Sequence, residues 1–189
     1  MPKKFVDEPC VVWMPCKPYV KKYLLENFGK PHDMITDLVD LTGDKRLHKM
    51  FIHHLAKGSE RRESEKKNTK YSEMVAVEVT PETVRRYGYL LTATELAEVN
   101  RHLEERVKMM LRTFYMMLSC VGVPLERCII RFRDRTGLDE EDWSTDSMSK
   151  EIRRHCDIDN GDVYKMLIRR MEKRCWRMLK VVGMVREEP

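Results

Sequence analysis

From residue 93 onward the chain carries apolar side chains at Leu96, Val99, Leu103, Val107, Met110, Phe114 and Leu118, a series of three- and four-residue steps. That period fits one face of an α-helix and no other regular structure. Thr92 and Glu95 stand just ahead of it in capping-box register, where each side chain accepts from a backbone N–H that the helix leaves free. A helix over 93–120 is therefore predicted, roughly 40 Å long at 1.5 Å per residue. A beam of that length needs cover along its apolar face. The rest of the chain can supply it; so can a second copy, because alternating threes and fours also make a coiled-coil seam, and a homo-oligomer through 93–120 is the alternative.

The segments around this beam alternate between the two periods. Cys-Val-Val-Trp-Met at 10–14 is β-branched and aromatic, and reads as a strand that Pro15 brings to an end. A helix is predicted over 17–28, with Pro18 in its first turn and Gly29 after its end. Another is predicted over about 44–57, with Leu47, Met50, Phe51 and Leu55 on one side and Gly58 as its stop; 34–43 has no clear period. In 74–79 the valines at 75, 77 and 79 alternate with other residues, as in a half-buried strand that can pair with the first. Thr80-Pro81-Glu82 then has the form of a helix start, leading to a short helix that ends near Gly88.

Past Gly122 and Pro124 three shorter helices are predicted. The first, 125–135, buries Leu125, Ile129 and Phe132, exposes Arg127, Arg131 and Arg133, and stops at Gly137. The second, 145–156, follows an acidic linker and carries Met148, Ile152 and Cys156 on one side, with Ser144 or Thr145 as its cap. The third, 162–180, follows the turn-forming Asp-Ile-Asp-Asn-Gly at 157–161. The expected fold class is thus α+β and predominantly helical: a long central helix, a small two-stranded sheet, and a C-terminal three-helix module of helix-turn-helix type. Residues 1–122 would form the α+β core, with 59–70 as a flexible charged loop lacking any apolar residue. Residues 123–189 would form a basic helical module packed on it.

Composition narrows the function classes. The 189 residues include 36 Lys and Arg against 31 Asp and Glu, a net charge of only +5, so a polyanion-binding surface has to come from local clustering. No run is long and apolar enough to span a bilayer, the start lacks the apolar core of a signal peptide, and the six cysteines have no zinc-like or redox spacing. The expectation is a cytoplasmic protein with free thiols, no metal, no cofactor and no membrane partner. The histidines at 48, 53, 54, 102 and 155 stand in no ligand pattern, and there is no phosphate-cradling loop or nucleophile elbow. A non-enzymatic role is predicted.

The helix over 162–180 is the most unequal of all. Val163, Leu167, Met171, Cys175 and Met178 make one stripe, while Lys165, Arg169, Arg170, Lys173, Arg174, Arg177 and Lys180 occupy most of the remainder. Cations this dense repel one another unless an anion offsets them, and a nucleic-acid backbone is the commonest such anion. The plainer alternative is a solvated helix whose bases complement its own C-terminal dipole. In a helix-turn-helix arrangement, 125–135 would support and 145–156 would enter the groove, with Ser147, Lys150, Arg153 and Arg154 facing away from Met148 and Ile152. The predicted nucleic-acid-binding residues are therefore Lys150, Arg153, Arg154, Arg169, Arg170, Lys173, Arg174 and Arg177, with DNA preferred over RNA. The competing class is a structural or protein-interaction component, its last helix pairing with the acids at 139–142.

The stretch Val-Trp-Met-Pro-Cys-Lys-Pro-Tyr-Val-Lys-Lys-Tyr-Leu at 12–24, the Arg-Arg-Tyr-Gly at 85–88 and the Gly-Leu-Asp-Glu-Glu-Asp-Trp-Ser at 137–144 resemble uncharacterised proteins of gut-bacterial genomes, their mobile elements and phages. The resemblance spans most of the chain. It transfers no catalytic residue and implies a role on mobile DNA.

Overall fold

The structure, a computed structural model, describes residues 9–57, 71–119 and 122–156. Its sheet is built on β3 (Glu73–Val79), which pairs antiparallel with β1 (Cys10–Cys16), Cys10 lying opposite Val79 and Cys16 opposite Glu73. A third strand, β2 (Leu38–Val39), runs parallel to β3 on its other side, so the order is β1-β3-β2 and the expected two-stranded sheet is corrected to three. Two residues between Asp37 and Asp40 are too few to show a period, which is why β2 left no trace in the sequence. The first strand also runs through Pro15 instead of stopping at it. β1 is an edge, and the Pro15 carbonyl accepts from the Asn100 side chain (2.9 Å), so the backbone of Pro15 faces away from β3 and its missing N–H costs no ladder bond.

Helix α1 (Pro18–Phe28) follows β1 and ends where the Gly29 N–H donates to the Leu25 carbonyl. Its last residues also cover the outer edge of β2, because the Asp40 N–H donates to the Phe28 carbonyl. A 3-10 turn (Leu41–Gly43) leads to α2 (Lys45–His53), capped by Asp44, whose carboxylate accepts from the N–H groups of Arg46 and Leu47. α2 stops well short of Gly58. The His54 ring donates to the Met50 carbonyl (2.8 Å), and Ala56 then forms a backbone bridge to Leu90, which pulls the chain out of the helix. In α3 (Pro81–Tyr87) the Thr80 hydroxyl accepts from the Thr83 N–H, as its Thr-Pro-Glu start predicts. Gly88 closes this helix at φ +105°, and a Cβ there would lie 2.0 Å from the Ala56 carbonyl oxygen.

Helix α4 (Ala93–Ser119) is the long beam, opened by the reciprocal bonds of the capping box: Thr92 N–H to Glu95 (3.0 Å) and Glu95 N–H to Thr92 (3.4 Å). Its fully buried apolar residues are Val99, Leu103, Val107, Leu111 and Tyr115, each four after the last. A four-residue step turns 40° past a full revolution, so this line winds around the helix. The winding presents α4 to two neighbours in turn. Near its start, Asn100 bonds the Pro15 carbonyl and Glu104 pairs with Lys17 (2.7 Å); further along, Phe114 meets Phe132 edge-on and Arg112 pairs with Glu151. Leu111 and Tyr115 take the places predicted for Met110 and Phe114, which are half-buried.

Helices α5 (Leu125–Thr136) and α6 (Thr145–His155) supply that second neighbour. Cys128, Ile129 and Phe132 of α5 and Met148 and Ile152 of α6 belong to the same apolar cluster as Val12, Val77 and Leu103, so the core is continuous across residue 122. The chain leaves α5 through Gly137 in the left-handed region, φ +62°. Among the described residues there are six α-helices, and none is long and apolar enough to cross a membrane.

Two substitutions test this frame by chemical denaturation. Leu103→Ala, at a site 1% exposed, is expected to cost about 3 kcal/mol through lost burial and the cavity left behind. Gly88→Ala is expected to cost at least ~1–3 kcal/mol, because the left-handed backbone strains any side chain and the Ala56 carbonyl blocks it.

Candidate nucleic-acid interface

Helix α6 sits where its sequence period places it. Met148 and Ile152 enter the core, the Ser144 hydroxyl caps the helix by accepting from the Ser147 N–H, and Ser147, Lys150, Arg153 and Arg154 stand exposed on the other side. Lys150 pairs with Asp146 one turn earlier (2.6 Å), but both side chains are more than half exposed and such a pair holds a lysine only weakly. Arg153 and Arg154 form no ion pair with a described residue. On α5, Arg127 and Arg131 are likewise exposed without such a partner, whereas Arg133, expected outside, is corrected: it is only 18% exposed, bonds the Trp143 carbonyl (2.7 Å) and pairs with Glu140. The other predicted contacts, Arg169, Arg170, Lys173, Arg174 and Arg177, lie outside the described residues, as do the third helix and the 59–70 loop.

The connection between α5 and α6 is not the short turn of a helix-turn-helix, and that expectation is corrected. It takes eight residues, 137–144, and folds on itself: the Asp139 carboxylate accepts from the N–H groups of Glu141 and Asp142, while the Asp142 carboxylate accepts from the Asp139 N–H. Leu138 and Trp143, both buried, fasten it to the core, and the Trp143 ring stacks on Tyr19 of α1 with centroids 4.7 Å apart. Lys22 of α1 reaches across to Asp139 (3.1 Å) and Asp142 (2.7 Å). The acids offered by the competing reading as partners for the last helix are thus held by Lys22 and Arg133, apart from Glu141.

Electrostatics here depend on placement, not on net charge. Residues 123–156 contain seven Lys and Arg against eight Asp and Glu, so this part of the C-terminal module is not basic overall. Of its acids Glu151 is the buried one, but Asp139, Glu140 and Asp142 are also ion-paired. Glu151, 9% exposed, lies beneath the Arg112 guanidinium and also meets the His155 ring (3.1 Å); Arg112 in turn also holds Glu105 (2.8 Å). With Asp139, Asp142 and Glu140 engaged as described, the outward side of α6 keeps Arg153 and Arg154 uncompensated by described residues. Exposed arginines with no ion pair to a described residue are the groups that a phosphate-facing surface offers.

The described residues show no comparable arrangement for other chemistry. No three His, Cys, Asp or Glu side chains among them gather closely enough to hold a metal. His54 is bound to the Met50 carbonyl and Glu98, and the His53 ring packs edge-on to Tyr87. The described cysteines are free thiols; burial pushes Cys16 up to about 12, and raises Cys128 and Cys156 as well, so these three stay protonated and unreactive at neutral pH. The chain matches no protein-family model, no curated protein and no solved structure.

What the sequence missed is the pair of cations that anchor the acidic turn. Lys22 is 117 residues from Asp139, and a pairing at that distance has no periodic signature. The turn predicts an acid dependence of its own. Asp142's N–H and then the Lys22 ammonium lower Asp139 from 3.8 to about 2, and the Thr145 hydroxyl and N–H, then Arg133, lower Glu140 from 4.5 to about 2. Folded values below the unfolded ones mean a stabilisation present above about pH 4.5 and lost as pH falls toward 2. Denaturation midpoints measured across that window are expected to fall with acid, and an Asp139→Asn, Glu140→Gln double variant is expected to flatten the slope.

Proposed function

We propose that this protein binds nucleic acid, DNA in preference to RNA, through a cationic surface that includes the outer side of α6, and that it acts there without catalysis. The observation that supports this reading is a difference in pairing: Glu140, Asp139, Asp142 and Glu151 are ion-paired with Arg133, Lys22 and Arg112, while the adjacent Arg153 and Arg154 are exposed with no ion pair to a described residue. Lys150 joins them through a weak, exposed pair, and Arg127 and Arg131 of α5 add two further cations. The sequence contributes Arg169, Arg170, Lys173, Arg174 and Arg177 to the same proposal. Guanidinium groups suit this use because their planar donors meet phosphate oxygens in pairs. The resemblance to proteins of mobile elements points the reading toward a regulatory role on mobile DNA.

A structural or protein-interaction role is the second reading, and one observation favours it: Met109 and Met117, eight residues apart on α4, are 51% and 44% exposed. The predicted seam is buried within one chain at Val99, Leu103 and Val107, so an oligomer formed through α4 would have to use its exposed methionines instead.

Binding of the full chain to duplex DNA, single-stranded DNA and RNA of equal length, measured across a salt series, tests the proposal. Affinity for DNA is expected to fall steeply with salt, with a slope of about −0.9 for each phosphate contacted. Arg153→Ala with Arg154→Ala is expected to reduce that slope by about 2 and weaken binding roughly tenfold or more. Removing the charges at Arg169, Lys173, Arg174 and Arg177 is expected to do more. Absence of salt-dependent binding, or binding untouched by both sets of substitutions, overturns the proposal.

A further inference from the structure

Residues 45–57, which form α2 and the chain that leaves it, include four Lys and Arg and three His but no Asp or Glu. Folding does not account for this bias. The apolar side of α2, Leu47 and Phe51, is buried in the core, and Lys45 and Arg46 lie in its first turn, where cations oppose the helix dipole. The Asp44 carboxylate at that end is already paired with Arg106 of α4.

The fold joins α3 to this surface. The His53 ring meets Tyr87 edge-on with centroids 6.3 Å apart, and the Arg86 guanidinium lies 5.3 Å from the centre of the same Tyr87 ring. Beyond the two helices Ala56 and Leu90 exchange both backbone hydrogen bonds (2.8 and 3.3 Å), so Lys57 and Tyr89 stand across from each other. Gly88 permits this approach, since a Cβ on it would lie 2.6 Å from the Lys57 nitrogen. Lys49, Lys57, Arg85 and Arg86 are all exposed, and none forms an ion pair with a described residue; Glu82 is the one acid of α3. Tyr89, among these cations, is 54% exposed.

Unpaired cations and an exposed ring suit two parts of one ligand, phosphates for the first and a base for the second. A duplex keeps its base faces stacked inside, so a surface ring meets a base only on a single strand. An acidic peptide would supply the charge and leave the ring unused. We propose that the surface formed by α2 and α3 is a second nucleic-acid contact, specific for single strands, with phosphates on Lys49, Lys57, Arg85 and Arg86 and a base on Tyr89. It goes beyond the reading of α6 and uses none of the residues of that helix, so either can fail without the other.

The test follows binding of the full chain to a fluorescent oligothymidylate of about 15 nucleotides by anisotropy across a salt series. Affinity is expected to fall with salt, with a slope of about −0.7 for each phosphate contacted. Lys57→Gln with Arg86→Gln, both at exposed positions, is expected to reduce that slope by about 1.4 and to weaken binding about tenfold. Tyr89→Ala is expected to weaken binding about fivefold or more with the slope unchanged, and Tyr89→Phe to retain it. The same shifts are expected in an Arg153→Ala, Arg154→Ala background, which separates this surface from α6. The proposal is overturned if the oligothymidylate does not bind, or if either the Lys57 and Arg86 pair or Tyr89→Ala leaves its affinity unchanged. It is equally overturned if an abasic strand of the same length binds as tightly, or if polyglutamate of equal charge competes as well as unlabelled oligothymidylate.

Discussion

The buried side of α4 is the constraint on which the rest of the structure depends. A helix of 27 residues cannot present one straight stripe to one small sheet, and here the line of buried residues winds so that β1 and α1 cover its first half while α5 and α6 cover its second. Polar groups fix the two halves in register. Asn100 is fully buried and ties α4 to the edge-strand carbonyl of Pro15, and Glu104, nearly as buried, ties it to Lys17. Tyr19 sits beside this pair, and burial together with the adjacent Glu104 charge raises its hydroxyl far above the ordinary phenol range. Breaking such a buried pair by removing one partner leaves a desolvated charge, which costs more than the intact pair contributes.

The candidate surface is a product of that arrangement. α5 and α6 pack on the second half of α4, and the acidic connection between them folds back to Lys22 and the Tyr19 ring on α1. The folding back pairs Asp139 and Asp142 with Lys22, while Arg153 and Arg154 stay exposed without such partners among the described residues.

The sequence is informative where signals are local. Capping residues at Thr92, Thr80 and Ser144, the proline at 18 and the glycine at 137 mark helix ends because each acts on backbone groups within a turn of itself. The outward position of Lys150, Arg153 and Arg154 is legible for the same reason, since it follows from Met148 and Ile152 facing inward. Long-range pairings are not legible. β2 is two residues long, Pro15 is tolerated only because its strand lies at an edge, and α2 ends early because Ala56 pairs with Leu90, 34 positions away. Arg133 looks like any exposed arginine until Glu140 and the Trp143 carbonyl close around it.

The stacking of Trp143 on Tyr19 and the double grip of Lys22 have a thermodynamic meaning for recognition. They hold the entry to α6 against α1 before any partner arrives, so its backbone has less freedom to lose on association. The arginine side chains would still have to be immobilised, at roughly 0.5–1.5 kcal/mol each. A scaffold that is already ordered lets weak, individually solvated contacts add up to useful affinity, and leaves discrimination between partners to the shape that the helix presents.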